Sequence, residues 1–167
     1  PISEIQRIGF GLGYEYLELN LGDYVSSQII EDFVSANGNW FKSVNFNLNW
    51  VKSTLNRGIF ATRGTSQRVG LDLSMPGSGL EYYKITYKGS HLRGMGKQLS
   101  LRLRADLGYG ESYGDTTQMP FFKNFYSGGL GSVRGYKKYT LGPRNLPQGG
   151  FYSYSRPTGG NVQIVLG

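Results

Sequence analysis

The sequence predicts an all-β, antiparallel fold, and three observations point to it. Apolar and polar residues alternate strictly over several segments, and a period of two is the pattern of a strand with two different faces. Glycine and tyrosine are abundant, with 26 and 13 copies, while hydrophobic residues make up only 38% of the 167 positions. No run approaches the roughly 18 apolar residues of a transmembrane helix. The chain is therefore expected to form part of one β-domain whose strands face two environments.

Six strands are predicted. Their alternating segments are Ile8 to Tyr16, Val44 to Trp50, Val69 to Met75, Tyr83 to Tyr87, Leu99 to Tyr109 and Val162 to Leu166. Turn signals separate the middle strands at Asn56 to Thr65, at Pro76-Gly77-Ser78-Gly79 and at His91 to Lys97. A long surface loop at 22–43 is expected after the first strand, and it carries a short helix over 27–36 that Asn37-Gly38 ends.

The fifth strand distinguishes a transmembrane β-barrel from a soluble β-sandwich, which would also alternate. Its inner face carries Arg102, Arg104 and Asp106, which are costly to bury in a dry core without partners. If these charges face water, the row from Leu99 to Leu107 must face something apolar, and lipid fits. Six strands cannot close such a barrel, because outer-membrane barrels begin at about eight strands. The alternative is a soluble β-domain, which would stay in solution without detergent.

Charge and composition exclude several functions. The net charge of +7 alone suggests nucleic acid or an anionic surface, but the basic residues alternate with apolar ones inside strands, which favours a polar lumen. Cysteine is absent, so disulfides and cysteine metal sites are excluded. No catalytic set or metal cluster is evident, so neither an enzyme nor a cofactor is predicted. His91 is interpreted as a solvated residue, and Gly128 to Gly131 lacks the Lys-Ser/Thr ending of a phosphate loop.

The segment from 111 to 160 has no sustained strand pattern. Connections of this length are uncommon in compact domains unless they are functional or disordered. Its centre, Phe121 to Tyr136, is rich in glycine and aromatic residues and contains Val133-Arg134-Gly135-Tyr136. We interpret it as a loop that folds back and docks Arg134 against an acid inside a larger structure. The alternative for Arg134 is a surface arginine in a mobile loop.

Several stretches resemble the BamA family of outer-membrane assembly barrels, in the superfamily that also includes TamA, the two-partner secretion transporters and the organelle import barrels. The stretches are Met119 to Gly129, Ser132 to Tyr136, Leu141-Gly142-Pro143, Arg7 to Leu17, Leu55 to Gly64, Pro76-Gly77-Ser78 and Glu81 to Lys84. The first three are similar to the sixth extracellular loop of that family. The resemblance runs over nearly the whole chain.

The resemblance implies an outer-membrane barrel of about sixteen strands, of which this chain would form roughly the seventh to twelfth, with no periplasmic repeat domain within it. It also implies that the loop at 111–160 enters the lumen from the cell surface, where Arg134 would pair with wall acids on strands that follow. The docking motif would be Val133, Arg134, Gly135 and Tyr136, with supporting loop residues Phe125, Tyr126, Gly128 and Gly129. On the inner wall, Glu15, Asp72 and Asp106 are expected to make secondary contacts only.

The function implied by the resemblance is that of the central barrel in the machinery that folds and inserts β-barrel proteins into the outer membrane of the Gram-negative cell envelope. The implied partners are the outer-membrane lipid bilayer, the lipoproteins of the assembly complex and nascent outer-membrane β-barrel proteins, without nucleic acid. Arg134 would hold the loop in place and would not act as a catalyst. A two-partner-type secretion pore, or another outer-membrane transport barrel, is the alternative function.

Overall fold

The computed structural model describes residues 3–20, 28–96, 99–145 and 156–167. Helix α1 (Gln28–Asn37) and a 3-10 turn (Phe121–Lys123) accompany eight strands: β1 (Gln6–Glu18), β2 (Trp40–Ser53), β3 (Gly64–Ser74), β4 (Tyr82–Met95), β5 (Leu99–Ser112), β6 (Arg144–Asn145), β7 (Arg156–Pro157) and β8 (Val162–Leu166). Of the predicted features, the helix residue Ser27, the turn residue Lys97 and the loop parts 22–27 and 146–155 lie outside the described residues.

Six of the strands form one antiparallel sheet in the order β1-β2-β3-β4-β5-β8, which confirms the predicted fold class. Strand β5 pairs directly with β8, so the chain leaves the sheet after Ser112 and re-enters it at Val162. We call residues 113–161 the long loop. In the described part of this loop, the short strands β6 and β7 pair with each other in a separate two-stranded sheet.

The sheet has an apolar face and a polar face. In the β1–β2 register, Leu12 lies opposite Phe46, while the neighbouring pair, Gly11 and Asn47, points to the other side. On the apolar face Phe10 is 82% exposed and Leu99 is 73% exposed, so no described part of the chain covers this face. A contiguous apolar surface that the chain leaves uncovered indicates contact with lipid or with another protein surface.

A compact hydrophobic cluster lies at one end of the sheet. Helix α1 buries Phe33 against Phe41 of β2, Leu80 of the β3–β4 turn and Tyr82 of β4, each at most 5% exposed. Burying a side chain of this kind contributes about 1.5–3 kcal/mol. Among the described residues, no helix is long and apolar enough to cross a bilayer.

Four predicted boundaries need correction. Strand β4 continues to Met95, so the predicted turn at His91 to Lys97 is wrong over 91–95, and His91 lies in a strand opposite Leu103. The alternation of apolar residues ends after Tyr87, but the backbone pairing of β4 with β5 continues to Met95. Strand β3 begins at Gly64, within the predicted turn. Strand β2 begins at Trp40 and β5 ends at Ser112, which shortens the predicted loops 22–43 and 111–160.

Candidate functional site

The long loop leaves β5 at a clamp built on Glu81, a buried carboxylate between β3 and β4. Its oxygens accept hydrogen bonds from the backbone N–H groups of Gly77 at 2.6 Å and Asp115 at 2.9 Å. The Glu81 N–H donates to the Thr116 hydroxyl at 2.8 Å. Gly114 has a positive φ of 61°, and a Cβ there would overlap the Glu81 carboxylate. Only glycine allows the chain to pass this close to the acid.

The loop then packs two aromatic rings against α1. The ring centroids of Phe121 and Phe122 lie 5.8 Å and 6.2 Å from that of Phe33, and both pairs are nearly perpendicular. Edge-to-face contacts of this kind add about 0.5–1.5 kcal/mol to the burial of the rings. The β1–β2 connection and the long loop are thereby joined at the same end of the sheet.

Lys123 brings the loop onto the polar face. Its Nζ lies 3.0 Å and 2.9 Å from the two carboxylate oxygens of Glu15, which also accepts a hydrogen bond from Asn45 at 2.9 Å. The Lys84 ammonium donates to the Lys123 carbonyl at 2.7 Å and lies 4.0 Å from the ring centroid of Phe125. Burial lowers the pKa of Lys123, but contacts with Glu15 and a nearby tyrosine outweigh it and leave that pKa raised. The half-buried ammonium groups of Lys123 and Lys84 thus each have a partner: a carboxylate for the first, and a carbonyl and an aromatic ring for the second.

Glycines in β5 make room for the loop on the polar face. A Cβ at Gly108 would lie 2.5 Å from Cε1 of Phe125, and one at Gly110 would lie 2.6 Å from Cε of Met119. Both distances are shorter than real Cβ contacts, so the Phe125 ring and the Met119 methyl lie directly on the strand backbone. The Phe125 backbone also exchanges two hydrogen bonds with Gly160, at 2.8 Å and 3.0 Å. Phe125 is therefore held by the backbone of β5 on one side and by Gly160, near the end of the long loop, on the other.

Side chains of β8 and β5 hold the next part of the loop. The Gln163 amide donates to the Tyr126 carbonyl at 3.2 Å and to the Ser127 hydroxyl at 2.7 Å. Arg104 donates to the Ser132 carbonyl at 2.7 Å and forms an ion pair with Asp106 at 3.1 Å. The contacts of Gln163 and Arg104 with Tyr126, Ser127 and Ser132 join the six-stranded sheet, which we call the wall, to loop backbone or hydroxyl groups. The Arg104–Asp106 pair lies within β5.

The tip of the long loop, residues 128–141, contains the Val133-Arg134-Gly135-Tyr136 motif, of which Arg134, Gly135 and Tyr136 are exposed. The turn before the motif is closed by a hydrogen bond from the Gly129 N–H to the Val133 carbonyl at 3.1 Å. Within the described parts of the chain, Arg134 has no ion pair and no side-chain hydrogen bond. A cavity of about 740 Å³ separates the tip from the wall; its lining includes Lys88, Asp106, Tyr126, Leu130, Tyr139 and Gln163.

The predicted site residues have separate positions. Of the three predicted wall acids, Glu15 binds Lys123, Asp72 accepts a hydrogen bond from Asn47 at 2.8 Å, and Asp106 pairs with Arg104. None of these three acids pairs with Arg134 in the described structure. The predicted supporting residues lie in two parts of the loop. Phe125 and Tyr126 contact the wall. Gly128 and Gly129 are the first residues of the tip and have positive φ angles of 112° and 93°.

Loop contacts were not predicted for four residues that position the segment, namely Lys84, Arg104, Lys123 and Gln163. One signal was available. Lys84 and Arg104 share the parity of polar-face residues, and cations beneath a covering loop require partners. The partners themselves could not be read from the sequence, because alternation gives no register between a loop and a wall.

A second cavity, of about 330 Å³, lies where Lys123 meets the wall. Its lining includes Glu15, Asn45, Asn47, Asp72, Lys84 and Lys123. The two acids of this lining accept hydrogen bonds from Asn45, Asn47 and Lys123, an arrangement that fixes the loop electrostatically. Among the described residues, no three His, Asp or Glu side chains converge as a metal site would require.

Comparison with known proteins gives consistent results. A family model for the Omp85 superfamily domain matches residues 1–166. The chain is 34% identical over 175 aligned positions to the outer membrane protein assembly factor BamA of Neisseria meningitidis serogroup B, covering 99% of this chain and 22% of the relative. The chain therefore spans about a fifth of that relative's length.

A solved structure matches the fold as well. It is the crystal structure of BamA from Haemophilus ducreyi lacking POTRA domains 1–3, with a TM-score of 0.85 and 23% sequence identity. The match covers 98% of this chain and 34% of that one. Together, these similarities and the uncovered apolar face show that the chain belongs to the Omp85 superfamily of outer-membrane proteins, in which its sheet forms barrel wall.

Proposed function

We propose that the protein containing this chain folds and inserts β-barrel proteins into the outer membrane, as the central barrel of an assembly machinery. The observation that carries the proposal is the 34% identity to the Neisseria assembly factor over 99% of the chain. The contribution of this chain is structural and not catalytic: a stretch of wall and a loop fixed on its polar face. Its partners would be nascent barrel proteins, the lipoproteins of the complex and the bilayer.

The geometry of the long loop also supports assembly over a transport pore. Side chains of β1, β4, β5 and β8 all contact the loop, so it lies across the polar face along which a diffusing solute would pass. In a secretion pore, the long loop would have to move off the polar face to let a substrate pass. We propose that the loop stays docked in the working protein.

Arg134 would complete this docking by pairing with an acid that other strands of the barrel provide. The support is its position: the base of the loop is fixed, whereas the arginine projects from the tip and is exposed. An arginine that becomes buried when the barrel closes needs such a partner, because an unpaired buried charge is strongly destabilising. The role proposed for Val133, Gly135 and Tyr136 is to shape the tip that presents Arg134.

Depletion of the full-length protein tests the assembly function. Cells that express it from a repressible copy should accumulate unrelated outer-membrane barrel proteins in unfolded form, seen as loss of their heat-modifiable gel mobility. Normal barrel folding after depletion, together with a large single-channel conductance of the purified protein, would instead establish a transport pore.

Substitution of the tip arginine tests the docking role. We expect Arg134→Ala in the full-length protein to raise the amount of unfolded barrel proteins and to expose the tip to protease. Lys137→Ala is the matched control, because Lys137 is another exposed cation of the tip, and it should behave as wild type. Normal barrel assembly with an unmoved loop in Arg134→Ala would contradict the proposal.

A further inference from the structure

At the end of the sheet away from α1, the apolar face ends in polar side chains. Lys52 lies opposite Gln67 in the β2–β3 register, and Thr65 lies opposite His91 in the β3–β4 register. All four share the parity of the apolar residues on their strands, so they stand on the face that meets lipid. With Thr54, which follows β2, they form what we call the polar edge.

The polar edge follows the slant of the apolar surface. On β2 the apolar row ends at Trp50, next to Lys52, whereas on β5 it extends to Leu99, which lies opposite Met95 and beyond the level of His91. Barrel strands tilt by about 35–45° from the membrane normal, so a plane parallel to the membrane crosses successive strands at shifted residues. The polar edge therefore runs along the boundary of the apolar surface, which is the depth of lipid headgroups.

The polar edge encloses a cavity of about 210 Å³ that Lys52, Thr54, Thr65 and Gln67 line. Its walls are held by the backbone, since the Thr54 N–H donates to the Thr65 carbonyl at 2.8 Å and the Thr65 N–H donates to the Thr54 hydroxyl at 3.0 Å. The Thr65 hydroxyl is fixed in turn by Nδ1 of His91, at 2.9 Å. The two hydroxyl groups are thus positioned before any ligand arrives.

The donors of this cavity are available. Within the described parts of the chain, neither the Lys52 ammonium nor the Gln67 amide has a hydrogen-bond or ion-pair partner, and no carboxylate lines the cavity. An ammonium and an amide NH₂ supply up to five donor hydrogens between them. Such a set complements an anion with several acceptor oxygens, and a phosphate diester fits that description.

We propose that the polar edge binds the phosphate of a phospholipid headgroup. Lys52 and Gln67 donate to the phosphate oxygens, while the acyl chains continue along the adjoining apolar face. Continuity with that face selects a lipid over a soluble anion, because one ligand then covers both surfaces. The site would hold a phospholipid at a fixed position against strands β2 to β4.

Native mass spectrometry of the full-length protein in detergent tests the proposal. The probes are palmitoyl-oleoyl phosphatidylglycerol, the diacylglycerol with the same chains, and inorganic phosphate. We expect phosphatidylglycerol to bind more tightly than either other probe, and Lys52→Gln to weaken that binding roughly five-fold, as expected for one cation near a lipid surface. Lys52→Arg should restore it, and Thr65→Val should weaken it without any change of charge.

Lys42→Gln is the matched control. Lys42 shares the apolar-face parity of Lys52 on the same strand but lies near the opposite end, over the Trp40 ring and outside the cavity. Its removal should leave phosphatidylglycerol binding unchanged. Equal losses in the two lysine variants, equal binding of diacylglycerol, or inorganic phosphate binding as tightly as the lipid would each overturn the proposal.

Discussion

The base and the tip of the long loop are held in different ways. The base, residues 113–127, is fixed by buried aromatic rings, by the Glu81 clamp and by the pairing of Lys123 with Glu15. In the tip, residues 128–141, the Ser132 carbonyl accepts a hydrogen bond from Arg104 of the wall. Leu130 and Tyr136 of the tip are 88% and 56% exposed. The chain therefore determines where the base lies by its own contacts, whereas the tip presents surface that other parts of the barrel can cover.

The largest expected effect tests whether the aromatic cluster fixes the base. Phe33→Ala in the full-length protein should lower the free energy of loop opening by about 3–5 kcal/mol, because it leaves a cavity beneath two rings. Hydrogen exchange of the Lys123 amide, which bonds to the Pro120 carbonyl, measures that opening. Ile29→Ala, an exposed position of the same helix, is the control and should have little effect. Equal exchange in the two variants would show that the base is held elsewhere.

A smaller effect is expected where the loop contacts the strand backbone. Gly108→Ala introduces a Cβ that the Phe125 ring must avoid, and overpacking of this kind costs about 1–3 kcal/mol. Gly131→Ala in the tip is the control, since nothing lies within 4 Å of its added Cβ. Faster exchange of the Phe125 amide in the first variant alone is the predicted result. If the tip variant has the larger effect, the comparison between base and tip is wrong.

The Lys123–Glu15 pair should contribute less. Its side chains are 25% and 37% exposed, so solvent screens it, and we expect a coupling of about 1 kcal/mol in a double-mutant cycle. The cycle combines Lys123→Met with Glu15→Gln, and loop opening is measured by hydrogen exchange. Lys138→Met, at an exposed cation of the tip, should show no coupling to Glu15→Gln. Additive effects of the first two substitutions would show that the pair does not hold the base.

The smallest effect is a dependence on pH. Because the pKa of Lys123 is raised above its ordinary value of 10.5 in the docked loop, its contribution is complete below that value and is lost as the pH rises through the higher, folded pKa. The mobility of a spin label at Leu130 should therefore rise at high pH. Lys123→Arg, which keeps its charge, should lack this rise after the common effect of tyrosine ionisation is subtracted. Identical curves would contradict the assignment.

Local pattern predicted the strands well because a side-chain period of two follows directly from the strand backbone. Ile8 to Tyr16 and Leu99 to Tyr109 fall in observed strands for that reason. The pattern missed the end of β4, where His91 occupies an apolar-face position at the edge of the apolar surface. Residues there change from apolar to polar while the backbone pairing continues.

The contacts of the long loop lay beyond sequence reasoning. The motif at 121–136 marked the segment as ordered, yet Lys123 and Glu15 are separated by 108 positions and no periodicity joins them. Gly108 and Gly110 alternate with Leu107 and Tyr109 as polar-face residues do, but nothing in the sequence indicates which rings cover them. Such contacts depend on how the loop folds back, which only the three-dimensional structure gives.

The most direct test is a nitroxide scan along β5 of the full-length protein in liposomes. Labels at Leu101, Leu103 and Leu107 should collide with oxygen dissolved in lipid and be shielded from a water-soluble nickel chelate. Labels at Arg104 and Asp106 should be shielded from the oxygen in lipid, and the docked loop should make them less accessible to the chelate than a label at the exposed Leu130. Free access of the nickel chelate to Arg104 and Asp106, or to the leucine positions, would contradict a wall with lipid on one face and the long loop on the other.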